Sequence, residues 1–234
     1  MKSLNLFFEE LGVKLIELKG EFDNLGYVWF RDAFSESDLN RLDHMNDLGA
    51  KAGARIKMQT FLKEAFFSGG SIAPLLDKIL PNTKPVRVVH FNKSKETNWT
   101  VPWHQDRVIA VKEKHDFGGY KNWTKKAGIW HCEPPISVLA PMLFVRIHLD
   151  DTDEQNGAME FAAGSHKEGF VSSEEAKDTA EKYNSHICNA KRGDVLVLKM
   201  LTLHRSLVSQ STSLRRTLRV DFASDCLPKP LSFF

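Results

Sequence analysis

The sequence has little cysteine, almost no excess charge and no long apolar run, and each absence excludes a class of protein. Its three cysteines, Cys132, Cys188 and Cys226, form neither a disulfide framework nor a CxxC zinc knuckle, and they indicate a reducing compartment. The formal net charge of +2 lacks the basic excess of nucleic-acid-binding proteins. No apolar stretch is long enough to span a bilayer. The sequence therefore predicts a cytoplasmic protein without nucleic-acid or membrane partners.

What the sequence does contain is the composition of a globular domain. Hydrophobic residues make up 42% of its 234 residues and charged residues 26%, which excludes collagen-like and wholly disordered chains. Residues 1–20 carry apolar side chains at helical spacing with charges on the other side, which predicts an amphipathic helix rather than a targeting peptide. We expect one domain over residues 1–234.

The order of predicted elements favours one fold class. A strand is expected at 26–34, a helix after the N-cap Ser35 and a short helix before Pro81. From residue 86 onward come six short strand-like segments: VRVVHFN, RVIAVK, MLFVRIHLD, AMEFAA, DVLVLKM and RRTLRVDF. This order predicts a mainly β protein with flanking helices, built on a jelly-roll (cupin-like) core.

Two kinds of segment do not fit this order of helices and strands. Residues 112–135 are rich in Gly, Lys and Trp without a clean period, and we predict that they form an irregular lid. The lysines of NKSKE, VKEKH and WTKKAG are interpreted as a solvated surface, because scattered lysines are mostly exposed.

The strongest chemical signal is the motif VPWHQD. His104 and Asp106 are two residues apart, so on a strand they would project to the same face. An HxD pair alone is common, but His204, predicted at the end of the apolar strand DVLVLKMLTLH, is a third candidate. Two imidazoles and one carboxylate are the facial triad that binds iron(II) and leaves positions open for a keto acid and dioxygen.

A keto-acid cosubstrate would also need a cation for its distal carboxylate. Arginine provides a bidentate fork for this purpose, and RRTLRVDF begins eleven residues after His204. One face of that strand is polar, with Arg215, Thr217, Arg219 and Asp221. This face meets either solvent or a wet cavity, and the presence of a triad favours the cavity.

A second strand, MLFVRIHLD, has a clean apolar face opposite a mixed one. Phe144, Arg146 and His148 share the mixed face. On its own such a face is typical of a solvent-exposed surface, whereas inside a barrel it would add an arginine and a histidine to the pocket.

The sequence resembles the phytanoyl-CoA dioxygenase family of iron(II)/2-oxoglutarate-dependent oxygenases. The matching stretches, in the family's order, are GYVWFRDAFSESDLNRL, VPWHQD, LDDTDEQNGAMEFAAGSH and GDVLVLKMLTLHRS followed by LRRTLRVDF. The resemblance implies a double-stranded β-helix core and selects Arg215 over Arg216 as the cosubstrate arginine. The implied iron ligands are His104, Asp106 and His204, and the implied 2-oxoglutarate contacts are Arg215, Ser206 and Asn92.

The resemblance also bears on the reaction. Related halogenases lack the carboxylate ligand, so its presence as Asp106 points to hydroxylation or another oxidation with Fe(II), 2-oxoglutarate and O2. Arg146 stands where relatives often have a tryptophan, and the segment before it is longer than in phytanoyl-CoA hydroxylase, so the family's name does not identify the substrate. We expect a small-molecule substrate, with Arg146 and Arg219 favouring an anionic one. The candidate substrate residues are Arg146, His148, Arg219 and Trp123.

Two alternatives remain open. A cupin-type metal-dependent isomerase would use the same metal ligands but would not need Arg215 and Ser206 at their spacing. A non-catalytic binding protein on the same fold predicts a decayed triad, whereas all three ligands are present.

Overall fold

The computed structural model describes residues 17–45, 52–55, 76–77, 79–211 and 213–234. Most of the predicted N-terminal amphipathic helix lies outside these residues, and the part from 17 to 25 is helical. Helix α1 (Glu36–Met45) begins where predicted, because the Ser35 hydroxyl caps it and accepts a hydrogen bond from the Asp38 amide at 3.2 Å. Of the predicted helix before Pro81, residues 76, 77, 79 and 80 are described, and the first three are helical. One domain over 1–234 stays a prediction.

The rest of the described chain is mainly β. Its strands are β1 Tyr27–Phe30, β2 Gly53–Arg55, β3 Lys84–Lys93, β4 Val101–His104, β5 Ile109–Val111, β6 Lys121–Lys126, β7 Ile129–Glu133, β8 Leu143–His148, β9 Met159–Ala162, β10 Ser185–Ile187, β11 Val195–Lys199, β12 His204–Ser206 and β13 Arg215–Ala223. Short helices are α2 Ile136–Leu139 and α3 Ala176–Ala180, with a 3₁₀ turn at Ser165–Glu168.

Two antiparallel sheets form the jelly roll. The six-stranded sheet has the order β1-β11-β8-β13-β3-β2, and the four-stranded sheet has the order β10-β9-β12-β4. Most neighbouring strands in these sheets are not consecutive in the chain, as expected for strands that cross between the two walls of a jelly roll. The predicted fold class is confirmed.

The helical layer covers the outer face of the six-stranded sheet. The apolar side chains of β8, including Leu143, Val145 and Ile147, pack in one core with Leu39 and Leu42 of α1. Because side chains alternate along a strand, the polar residues of β8 and β13 point to the opposite face, toward the four-stranded sheet. They are buried there, with Arg146 6% exposed and Arg215 and Arg219 each 3% exposed. The interpretation of these faces as solvent-exposed is therefore wrong: both faces are buried, and Arg146, Arg215 and Arg219 line a cavity, whereas His148 does not.

The segment 112–135 is irregular only in its first part: residues 112–120 have no helix or strand, whereas most of 121–133 is β-strand, which corrects the sequence prediction for that part. A role as a lid stays a prediction. Strands β6 and β7 form a hairpin that joins β5 in a three-stranded sheet. Its two-residue loop, Ala127 and Gly128, has positive φ angles of 50° and 81°, as hairpin turns of this length require. Five of the six residues of β6 are exposed, so its sequence shows no alternation of apolar and polar residues.

In the part of the chain that the structure describes, no helix combines the length and apolar character needed to cross a bilayer.

Candidate metal centre and cosubstrate cavity

The HxD motif lies at the end of β4, but its two ligands do not both lie on the strand, as their spacing had suggested. The strand ends at His104, and Asp106 lies in the following loop, so strand alternation does not bring them together. Gln105 anchors the loop instead. Its side chain donates to the carbonyls of Gly169 and Leu201 at 2.7 and 2.8 Å and accepts from the Val171 amide at 2.9 Å.

His204 also differs from the sequence prediction. It does not end the apolar strand β11 but begins β12, after a turn that follows Lys199. Ser165 holds this turn, because its hydroxyl donates to the Ala162 carbonyl at 2.7 Å and accepts from the Leu203 amide at 2.9 Å. The pairing of β12 with β4 then places His204 directly opposite His104.

The three predicted ligands converge. One potential ligand atom from each of His104, Asp106 and His204 lies within 4.8 Å of the others. Each histidine Nδ1 contacts a carbonyl two residues back, Pro102 for His104 and Thr202 for His204, at 2.9 Å. If Nδ1 carries the proton and donates it, Nε2 of each ring is left as the metal-binding atom, which is the usual arrangement of ligating histidines.

The charges at this end of the site are matched. Arg219 is buried and donates to Asp106 Oδ2 and, at 2.6 Å, to Asp221 Oδ1. Asp221 also accepts a hydrogen bond from Arg87 at 2.6 Å. Burial alone would raise the pKa of Asp106, but Arg219 and His204 outweigh it and hold that pKa well below its usual range.

The donor set fits an iron(II) ion. Burial and the neighbouring His204 lower the pKa of His104, which favours the neutral imidazole, and Asp106 is a carboxylate. Neutral imidazoles and ionised carboxylates are the protonation states that bind metals. Two nitrogens and one oxygen on one side of the site match the facial triad.

A cavity of about 150 Å³ opens beside the triad. Its walls come from both sheets, with Phe91, Arg146 and Arg215 from the six-stranded sheet and Met159 and Ser206 from the four-stranded sheet. A cavity of this order holds a ligand of about benzene size. The structure therefore provides room for a small molecule next to the metal ligands.

Two arginines of the cavity have no carboxylate partner. Arg146 and Arg215 make no ion pair with any described residue, and the Nε atom of each is buried without a hydrogen-bond partner. Burial lowers the pKa of Arg215 to about 9, with a further contribution from Arg146, and burial lowers that of Arg146 to about 10. Unpaired buried guanidinium groups of this kind favour binding of an anion.

Lys93 belongs to the same region, which corrects its interpretation as a surface lysine. It is fully buried and pairs with Arg215 in the β3–β13 register. Its ammonium donates to the carbonyls of Trp99 and Leu207 at 2.9 and 2.5 Å and to the Ser206 hydroxyl at 3.0 Å. Burial lowers its pKa to about 8, with further contributions from the two arginines.

A glycine makes room for this lysine. Gly157 has a φ of +73°, and a Cβ placed there would lie 3.1 Å from the Lys93 Cδ and 2.8 Å from the Leu207 carbonyl oxygen. In the sequence, Lys93 is two residues after Phe91 and would share its face on a strand, and this was the available signal that Lys93 faces inward.

Other predicted site residues lie away from the cavity lining. Asn92 pairs with Arg216, on the face of β3 opposite Lys93. His148 is buried, stacks on Trp29 with ring centroids 5.5 Å apart and contacts the Asp194 carbonyl through Nδ1 at 3.1 Å. Trp123 lies on β6 and donates to the Tyr120 carbonyl at 3.2 Å. Of the three predicted cosubstrate residues, Arg215 and Ser206 line the cavity and Asn92 does not.

Together, a jelly roll, a His-Asp-His triad and an adjoining cationic cavity are the features of non-haem iron enzymes that use 2-oxoglutarate. The family comparison agrees: the phytanoyl-CoA dioxygenase model matches residues 22–217, so the chain belongs to that family. It is accordingly a 2-oxoglutarate-dependent non-haem iron enzyme. No curated protein sequence matches the chain significantly.

Solved structures share the fold at low sequence identity. The epimerase SnoN, in complex with Fe³⁺, α-ketoglutarate and nogalamycin RO, has a TM-score of 0.65 at 13% identity, covering 91% of this chain and 84% of that one. The α-ketoglutarate-dependent carbocyclase SnoK from nogalamycin biosynthesis has a TM-score of 0.63 at 14% identity, with coverage of 88% and 83%. HygX from Streptomyces hygroscopicus, with nickel and 2-oxoglutarate bound, has a TM-score of 0.61 at 13% identity, with coverage of 93% and 88%.

Proposed function

We propose that this enzyme hydroxylates a small-molecule substrate. The reaction consumes 2-oxoglutarate and O2, places one oxygen atom in the substrate as a hydroxyl group and the other in succinate, and releases CO2. The observation that carries the proposal is the composition of a single cavity, which has three metal-ligating side chains at one end and unpaired arginines at the other.

Each residue has a defined role in this proposal. His104, Asp106 and His204 hold iron(II), which together with 2-oxoglutarate supplies the oxidising chemistry when bound. Arg219 positions Asp106 by hydrogen bonding to its Oδ2. Arg215 binds the distal carboxylate of 2-oxoglutarate with Ser206. The Ser206 hydroxyl accepts from Lys93 and, without a ligand, donates to the Gly157 carbonyl at 3.1 Å; in the complex it donates to the carboxylate instead.

A second outcome of the same chemistry has support from the structural relatives. SnoN is an epimerase and SnoK a carbocyclase, and both depend on α-ketoglutarate. Such reactions share with hydroxylation the removal of a substrate hydrogen and differ in the subsequent step. If the product contains no added oxygen, the reaction is not a hydroxylation, but the assignment of iron(II) and 2-oxoglutarate still holds.

The charge of the substrate depends on Arg146. The sequence suggested an anionic substrate on the basis of Arg146 and Arg219. Arg219 is already engaged by two carboxylates, Asp106 and Asp221. With Arg215 assigned to 2-oxoglutarate, an anionic substrate would have to pair with Arg146.

The proposed function is tested in two steps with the purified chain. Iron(II) and 2-oxoglutarate are first added without oxygen, and we expect the visible charge-transfer band of the chelate. Oxygen is then admitted, and succinate is measured with and without a panel of metabolites. A protein that gives neither band nor succinate is not a 2-oxoglutarate-dependent oxygenase.

The cosubstrate assignment is tested by a pair of neighbouring arginines. Arg215→Ala should weaken 2-oxoglutarate binding on the order of a hundredfold, because it removes a charge-assisted, bidentate contact, while iron(II) still binds. Arg216→Ala is the matched control, since Arg216 points away from the cavity and pairs with Asp150 at 2.7 Å and Asp43 at 2.8 Å. Equal 2-oxoglutarate affinity in the two variants would contradict the role of Arg215.

A further inference from the structure

The cavity contains one guanidinium group that neither the proposed function nor a described carboxylate engages, since Arg205, which also lines it, pairs with Glu160. Arg215 is assigned to the distal carboxylate of 2-oxoglutarate, and Arg219 is neutralised by Asp106 and Asp221. Arg146 remains, buried and without a carboxylate among the described residues. An unpaired buried charge is unfavourable, so we expect an anion to lie beside this group when the enzyme has its ligands bound.

The strand register shows where Arg146 lies along the cavity. It pairs with Arg219 across β8 and β13, and Arg219 contacts the metal ligand Asp106. Arg215 lies on the same face of β13, four residues away, or about 13 Å along a strand. The Arg146 backbone is therefore level with the metal end of the cavity.

The side chain of Arg146 extends from there toward the other end. Its Cζ lies 5.8 Å from the centroid of the Phe91 ring, and Phe91 is on β3, across β13 from Arg146. Phe91 pairs with Thr217, the residue midway between Arg215 and Arg219. The guanidinium group thus reaches into the interval between the metal site and Arg215, and a ligand that spans this interval must pass it.

We propose that Arg146 is a second cosubstrate-binding residue, and that Arg146 and Arg215 hold the distal carboxylate of 2-oxoglutarate between their guanidinium groups. The inference rests on the proposed function, because it takes the ligand of Arg215 to be 2-oxoglutarate. A carboxylate between the two arginines relieves their mutual repulsion, which the bare cavity leaves uncompensated. It also makes the cavity a site for dicarboxylates in general, including the product succinate, and removes the need for an anionic substrate.

Succinate provides a test that needs neither iron nor turnover. Its binding to the metal-free protein is measured by calorimetry for the wild type, Arg146→Gln and Arg146→Lys. The matched control is Arg205→Gln, because Arg205 lines the same cavity but is already paired with Glu160 at 2.7 Å. We expect Arg146→Gln to weaken succinate binding roughly 10- to 100-fold, Arg146→Lys to lose less, and Arg205→Gln to change the affinity by less than about threefold.

A second pair of ligands identifies the carboxylate involved. The binding of 2-oxoglutarate and of 2-oxobutyrate, which lacks the distal carboxylate, is followed by the charge-transfer band with iron(II) in the absence of oxygen. Arg146→Gln should weaken 2-oxoglutarate roughly 10- to 100-fold and leave 2-oxobutyrate unchanged. Equal losses for both ligands would overturn the assignment to the distal carboxylate, and unchanged affinity for 2-oxoglutarate and succinate would overturn the proposal and return Arg146 to the substrate.

A purely structural role of Arg146 gives a different result. Replacing an unpaired buried cation by glutamine should not lower the melting temperature of the ligand-free protein, whereas the stabilisation by succinate should shrink. A lower melting temperature with unchanged succinate binding would contradict the proposal. Arg146-dependent succinate binding without a charge-transfer band would contradict the proposed function alone.

Discussion

The two ends of the cavity differ in whether their buried arginines are paired with carboxylates. At the metal end, Arg219 lies between the carboxylates of Asp106 and Asp221, and Arg87 completes the chain at 2.6 Å from Asp221. At the far end, Arg146 and Arg215 have no carboxylate partner in the described chain, and the hydrogen bonds that Lys93 makes there go to uncharged oxygen atoms. One end is neutralised by the protein, and the other is left to be neutralised by a ligand.

The difference indicates which part of the site is preorganised. Hydrogen bonds fix the position of Asp106 before any metal arrives, so little rearrangement accompanies metal binding. At the far end, the buried positive charges repel one another until a dicarboxylate binds. Part of the binding free energy of the dicarboxylate comes from neutralising these charges. Removing a charge should therefore destabilise the protein at the metal end and weaken ligand binding at the far end.

The largest effect is expected from Arg219→Gln, which breaks the charge matching at the metal end. It leaves Asp106 without its cation and Asp221 with Arg87 alone. Removing one partner of a buried network should lower the free energy of unfolding by about 3–5 kcal/mol. Iron(II) affinity should also fall roughly 10- to 100-fold, because the positioning of a ligand is lost. Thermal unfolding and iron(II) titration measure the two effects.

Arg87→Gln is the matched control for this prediction. Arg87 lies at the outer end of the same chain of charges, with 12% of its side chain exposed, so water can replace part of its contact. We expect a smaller loss of stability and little change in iron(II) affinity. If Arg219→Gln were as stable as Arg87→Gln, the charge chain would not be what organises the metal end.

An intermediate effect, from pH, is expected at the far end. The pKa of Lys93 in the folded protein is about 8, below the ordinary lysine value of 10.5. Above pH 8 the ammonium loses its proton, so succinate affinity should fall roughly 3- to 10-fold between pH 7 and pH 9. In the same range, and up to about pH 10.5, the ligand-free protein should become more stable, because the unfolded chain binds the proton that the folded chain lacks.

A neighbouring lysine sharpens this test. Lys93→Met should abolish this pH dependence of succinate binding, whereas Lys95→Met should preserve it, since Lys95 is exposed. Calorimetric titrations at several pH values measure the difference. A pH dependence that persists in Lys93→Met would assign it to another group.

Much of the site was predictable from the sequence, although partly for a different physical reason. The convergence of His104, Asp106 and His204 followed from the motif and its partner histidine. Strand alternation was the expected cause, whereas a loop anchored by Gln105 and the pairing of β12 with β4 produce it. These causes depend on contacts between residues far apart in the chain, and local periodicity does not contain them.

The features that the sequence did not predict are those that oppose average tendencies. Lys93 lies in a lysine-containing stretch that resembles a solvated turn, yet a close approach at Gly157 and three oxygen acceptors allow its burial. The hairpin of β6 and β7 was missed because β6 is exposed along nearly its whole length and therefore lacks alternation. In both cases the environment is determined by tertiary packing.

The smallest effect is expected from Thr217→Val, which changes the far end without changing its charge. Thr217 is fully buried between Arg215 and Arg219 on the inner face of β13, and its hydroxyl has no hydrogen-bond partner among the described residues. Removing an unsatisfied buried hydroxyl should raise the free energy of unfolding by about 1 kcal/mol, which corresponds to roughly 2–4 °C in melting temperature. If the hydroxyl bonds the cosubstrate, 2-oxoglutarate affinity should fall by less than about tenfold, the value of one neutral hydrogen bond. A lower melting temperature would show that the hydroxyl is satisfied in the ligand-free protein, and the far end would then be less dependent on its ligand than the comparison with the metal end implies.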